Sequence, residues 1–193
     1  MGPHTVTPYR MPTVAHLPSP ARYGRCHAER CLLVIHDMQH GFLRAFAGDR
    51  SPALELVHNI AKIRDTCREL GIPIAYSSVS GAQPWPVLAA VAPRPRDLSL
   101  RRRRDNRARQ ETLAAALRAQ GRDQVIVTGL HARGGCLRTA MDAHALGVES
   151  FFVADAVADY SRDKHEQALR SAAEHAVPTT SGTVIGELLG VLR

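Results

Sequence analysis

The sequence predicts a three-layer α/β domain: a central parallel sheet of five to six strands with helices on both faces. Three observations carry this. Short apolar runs alternate with longer segments of helical period, which implies crossover connections between parallel strands. Glycines stop the helices. The best-defined runs are apolar almost throughout, as strands buried on both faces are. The length of 193 residues suits one domain, and 45% apolar with 22% charged residues is ordinary for a globular protein.

The elements follow in order. Residues 1–28, studded with proline, read as an extended arm ahead of a domain spanning 29–193. CLLVIH at 31–36 is too short for a helix and rich in branched residues, so it reads as a buried strand with Asp37 at its carboxyl end. From Ser51 to Leu70, apolar positions recur at Leu54, Val57, Ile60, Ala61, Ile63 and Cys67; this is a helix opened by Ser-Pro and closed by Gly71. IPIAYSS (72–78) is a second strand, and GAQPWP breaks the regularity before a short helix over 87–91. ETLAAALRAQ (111–120) is rich in helix formers and stops at Gly121. DQVIVTG (123–129) is a third strand, and HARGGC turns into a helix over 137–146 that ends at Gly147. ESFFVAD (149–155) is a fourth strand, 163–175 a further helix, and the last residues give a short strand and a terminal helix. The pattern is Rossmann-like.

Composition excludes several function classes. No run of 18 apolar residues is present and the N-terminus lacks the apolar core of a secretory signal, so a cytoplasmic protein with no membrane partner is expected. Cys26, Cys31, Cys67 and Cys136 are scattered without C-x-x-C spacing and read as reduced thiols. The net charge of +7 is concentrated in one stretch: eight arginines against Asp97 and Asp105 between Arg94 and Arg109 give +6 there and +1 elsewhere. RRRRDNRARQ has no aromatics for stacking, so it reads as a solvated loop and helix start, and no nucleic-acid partner is expected. In open parallel sheets ligands bind beyond the carboxyl ends of the strands. That rule gathers Asp37, residues 79–83, residues 131–136 and Asp155 into one candidate site for a small molecule.

At LLVIHDMQHGFL and at VIVTGLHARGGCLRTAMDAHALGVESFFVADAVADYSRDKHEQAL the chain resembles the isochorismatase family, in its vinyl-ether-hydrolysing branch. The likeness runs from about residue 30 to 79 and from about 111 to 176. It implies a hydrolase that acts on a chorismate-derived vinyl ether, isochorismate or its amino analogue, in secondary metabolism, and that associates as a homodimer or larger oligomer. It also implies Asp37 as general acid, kept protonated by a dry pocket or a hydrogen bond. Arg102 stands where the family has a lysine, and arginine cannot give up a proton. Gly135 occupies the slot that amide-hydrolysing members fill with a nucleophilic cysteine. Cys136 follows it, turned about 100° around the helix, and so reads as core. Gln39, Phe42, Val79, His131, Arg133, Gly134 and Cys136 fall at substrate-binding positions; Val79 replaces a glutamine, and His131 and Arg133 replace a tyrosine and a histidine.

His36 points away from Asp37 by strand alternation. In nicotinamidase-like relatives metal binding uses an aspartate and closely spaced histidines in the loop after the second strand; by that resemblance no metal is expected here, since the loop has none. GLHARGG could cradle an anion but is not a dinucleotide fingerprint, and no cofactor is expected. Asp155, at a strand end, and Asp159, near a helix capped by Ser161, read as structural. Two alternatives stay open, because most substrate-contact positions are replaced: a diverged member with different chemistry on another biosynthetic intermediate, and a non-catalytic binding relative.

Overall fold

Every residue from Cys31 to His36 is 3% exposed or less, so this strand is buried on both faces and must lie inside the sheet. The computed structural model describes residues 5–78, 85–101 and 105–191. Six strands form one parallel sheet: β1 (Cys31–His36), β2 (Ile74–Ser78), β3 (Leu98–Arg101), β4 (Gln124–Leu130), β5 (Glu149–Ala158) and β6 (Val177–Thr179). The helices are α1 (His40–Leu43), α2 (Ala53–Glu69), α3 (Asn106–Gln120), α4 (Leu137–Ala145), α5 (Arg162–Ala172) and α6 (Ser181–Leu188). None of the described helices is long and apolar enough to cross a membrane.

The strand order is β3-β2-β1-β4-β5-β6. The chain therefore winds outward from β1 to β3, returns to the middle at β4 and winds outward again to β6. The reversal between β1 and β4 opens a crevice at their carboxyl ends, where such sheets bind ligands. Alternation along β1 feeds two core layers. Cys31, Leu33 and Ile35 pack with Leu56, Ile60 and Ile63 of α2 and with Val184 and Leu188 of α6. Leu32 and Val34 pack with Leu113 and Leu117 of α3, Ala140 of α4 and Leu169 of α5. The predicted arm joins the first layer, with Val6 and Tyr9 both buried, and its described part contains a single 3-10 turn at Val14–His16.

Three elements differ from the sequence expectation. The arginine-rich stretch contains β3, which pairs in parallel with β2 from Ala75↔Leu98 to Ser78↔Arg101. Leu98 and Leu100 face the core there, and the strand is hidden among charged neighbours. The stretch is also only partly solvated, because Arg109 forms a largely buried ion pair with Asp142 of α4 at 3.1 Å. α3 starts at Asn106, five residues early, capped by Asp105, whose carboxylate accepts from Ala108 N–H at 2.8 Å. Finally, β5 runs on to Ala158 through a break in register against β4 between Val127 and Gly129, so Asp155 is not at a strand end. Its carboxylate instead accepts from the backbone N–H and hydroxyl of Ser181, both at 2.6 Å, and fixes the start of α6.

One core group ties stability to pH. His165 on α5 is 1% exposed, and its Nε2 lies 3.0 Å from the Ala154 carbonyl, to which the neutral ring donates. Burial pushes its pKa down to about 4, against the opposing pull of that hydrogen bond and of Asp159 and Glu166. The native ring is thus neutral where an unfolded one, near 6.5, takes a proton. Its contribution is complete above pH 6.5 and is lost as pH falls towards 4. We expect the melting temperature to drop across that window and the drop to be shallower in His165→Gln, measured by calorimetry at half-unit steps.

Candidate active site at the sheet crevice

The centre of the crevice is set by backbone contact. Gly129, near the end of β4, is paired with His36 of β1 and has φ +110. A Cβ built there would lie 2.1 Å from the His36 carbonyl oxygen and 2.6 Å from its nitrogen, so only glycine fits. The two strand ends consequently touch, and Asp37 and His131 leave the sheet close together. Asp37 is 1% exposed, and its N–H donates to the Ser77 carbonyl at 2.9 Å. It has φ +47, a left-handed conformation that aspartate tolerates better than most residues. His36 points to the other face, its Nε2 3.0 Å from the Thr139 hydroxyl on α4, as alternation predicts.

A chain of rings walls the crevice. Trp85 meets Phe42 of α1 edge-on at 5.4 Å, and Phe42 meets His131 edge-on at 5.0 Å. His131 tilts against Tyr160 at 4.6 Å, and Tyr160 stacks on Phe46 at 5.8 Å. Tyr160 lies within electrostatic reach of Asp37: burial above all, then the charges of Asp159 and Asp37, raise its phenol pKa. Trp85 is held over α1 by its carbonyl, which accepts from Gln39 Nε2 at 2.9 Å, and by the bridge between Gln39 and Val87. Gln39 is 4% exposed and its Oε1 has no hydrogen-bond partner among the described residues, which leaves a buried acceptor beside the wall.

After β4 the chain makes a wide turn over Ala132–Cys136 into α4. Its amides are largely engaged within the fold. Arg133 N–H donates to Asp159 Oδ2 at 2.9 Å, and the amides of Gly134 and Cys136 donate to the His131 carbonyl at 2.9 and 3.4 Å. That occupancy argues against an anion cradle here. The Arg133 side chain is turned towards α5, where it donates to Gln167 at 2.8 Å. Gly135 is buried at the head of α4, and Cys136 is fully buried in the second core layer, its thiol 3.7 Å from the Thr128 carbonyl. The thiol thus lies in core, as its offset from Gly135 suggested, and not at the substrate-binding position that the resemblance implied.

Of the residues singled out from sequence, Asp37, Gln39, Phe42 and His131 belong to this crevice; Gly134 and Gly135 form its turn, and Arg133 contributes backbone. Arg102 and Val79 lie outside the described residues. Trp85, Tyr160 and Phe46 were not foreseen, whereas Asp159 was read as structural and holds loop backbone here. Trp85 could have been: a sole tryptophan between prolines is a costly residue to place in a bare loop. Asp159 is a hub, since its other carboxylate oxygen accepts from Tyr160 N–H at 2.9 Å. Ser161 caps α5 as expected. Among the described residues no group of three or more His, Cys, Asp or Glu is placed to hold a metal.

The isochorismatase domain pattern matches residues 31–183, which include the whole crevice. The chain belongs to the isochorismatase family. This family member is 36% identical over 189 residues to the isochorismatase of Bacillus subtilis, covering 87% of this chain but only 61% of that protein. It is 32% identical over 207 residues to the phenazine biosynthesis protein PhzD of Pseudomonas fluorescens, covering 95% of this chain and 99% of that one. Among solved structures it superposes on the YcaC gene product of Escherichia coli, an octameric hydrolase of unknown specificity, with a TM-score of 0.73 over 88% of this chain and 84% of that one. At 21% identity that likeness is one of fold.

The contact at Gly129 generates a test of this geometry. Gly129→Ala adds a methyl against fixed backbone at a φ that alanine resists, and should cost at least ~3 kcal/mol of stability in urea denaturation, more than a surface Gly→Ala change. A loss under 1 kcal/mol would contradict the close approach of β1 and β4.

Proposed function

We propose that this isochorismatase-family hydrolase cleaves a small chorismate-derived vinyl ether, isochorismate or its amino analogue, with Asp37 as general acid and without a cysteine nucleophile. The observation that carries the reading is the Asp37 carboxyl, buried at the sheet crevice beside an aromatic wall. A carboxyl shielded from water holds its proton more readily than one in solvent. In this reaction Asp37 delivers that proton to the terminal methylene of the enol ether. The positive charge left on the ether carbon is shared with the ether oxygen, and water adds to that carbon. The hemiketal then breaks its bond to the ring oxygen, giving pyruvate and a ring alcohol, and the proton released from water restores Asp37. The rings of Phe42, His131 and Tyr160 suit the flat face of a cyclic substrate, and the Gln39 Oε1 acceptor suits a hydroxyl on it. Arg102 and Val79 complete the proposed contacts.

The relation to PhzD supports a role in secondary metabolism, and the octamer of the YcaC gene product supports a homo-oligomer. A second reading, a diverged member that handles a different intermediate, draws on two observations: the described wall is aromatic, and the Arg133 guanidinium faces Gln167.

Pyruvate assays with both substrates separate these. Wild type should release pyruvate, and Asp37→Asn should lower kcat/KM at least ~100-fold with the fold intact by circular dichroism. Cys136→Ala should keep activity within about twofold while losing about 1 kcal/mol of stability from its core position. No release by folded wild type would remove the proposal; loss of activity in Cys136→Ala would restore a cysteine mechanism.

A further inference from the structure

Tyr9 lies on the arm ahead of β1, 150 positions from Asp159, and is buried. Its hydroxyl donates to the Asp159 carbonyl at 2.9 Å and accepts from the Asp159 N–H at 3.1 Å. The carboxylate of the same residue holds the amides of Arg133 and Tyr160. Asp159, 4% exposed, thus uses its main chain on the arm and its side chain on the two segments that carry His131 and Tyr160. Three residues earlier the arm is fastened again: Val6 is buried, and its N–H donates to the Ala45 carbonyl at 2.7 Å, between Phe42 and Phe46. Residues 6–9 therefore bridge the two aromatic sides of the crevice, one carried by α1 and the other by the ends of β4 and β5.

We infer that Tyr9 is a positioning residue, which sets the Tyr160 and His131 rings over Asp37 through Asp159. This rests on the reading of the crevice as the substrate site. The hydroxyl is the informative part of the side chain. The ring alone fills the space and makes the edge contact with His165 at 5.7 Å, so packing does not require the oxygen. Both described hydrogen bonds of that oxygen go to Asp159. Burial raises the phenol pKa, so the group stays protonated and able to donate throughout the working range. Protonation of a methylene carbon demands close alignment of substrate and acid, and a wall displaced by a fraction of an ångström is felt in the chemical step more than in binding.

The test is Tyr9→Phe in the full chain, set beside Leu117→Ala, a core change on α3 that lowers stability away from the crevice. Pyruvate release gives kcat and KM, and acrylamide quenching of Trp85, the sole tryptophan, gives the state of the wall whether or not the substrate is right. For Tyr9→Phe we expect kcat to fall about tenfold with KM within threefold, and Trp85 quenching to rise by half or more. Leu117→Ala should change neither. An active wild type with unchanged kcat in Tyr9→Phe, or the same fall in Leu117→Ala, overturns the inference. Should wild type release no pyruvate, the proposed reaction fails, and quenching alone decides: a rise confined to Tyr9→Phe upholds the strap, and no rise overturns it.

Discussion

The strand ends of β1 and β4 meet with no side chain between them, and the rest of the site is built on that contact. At Gly129 the two backbones approach until a methyl group would sit 2.1 Å from the His36 oxygen. Because the contact falls where the strand order reverses, the residues that follow each strand emerge beside one another in the crevice. Asp37 then turns out of the strand in a left-handed conformation, while His36 before it is fixed on Thr139. A sheet with a wider gap here would separate the acid from the turn that precedes α4.

Around this rigid centre the walls come from parts of the chain that are distant in sequence. Each ring pair contributes on the order of 0.5–1.5 kcal/mol beyond its buried area, too little to fix a wall alone. The continuity of the contacts from Trp85 through Phe42 and His131 to Tyr160 makes up for that, since no ring can tilt without disturbing the next. The polar groups are economical. Asp159 holds two loops with one carboxylate, and Asp155 anchors a helix start with another. Both acids are engaged in holding backbone of the fold.

Much of this was legible in the sequence where local pattern and tertiary role coincide. CLLVIH is apolar on both faces because it is central, so β1, the position of Asp37 and the glycine-stopped helices could be read directly. Cys136 likewise read as core from its offset around the helix. β3 was hidden because an edge strand needs only two inward residues, and Leu98 and Leu100 sit among arginines. The end of β5 was misplaced because Asp155 looks like a strand terminus, while its partner, Ser181, comes 26 residues later. Arg133 reads as a substrate ligand by alignment, but its side chain finds Gln167. The Tyr9 contact has no local signature at all, since its partner is near the other end of the chain.

The far edge of the sheet carries one more implication. β6 is three residues long with Pro178 at its middle, paired with Phe152. Proline has no N–H, and so short a strand presents almost no ladder for a newcomer to join. Growth of the sheet by strand addition is therefore disfavoured on that side, and copies of this chain that associate there would do so through helix surfaces and side chains rather than through a shared ladder of backbone hydrogen bonds.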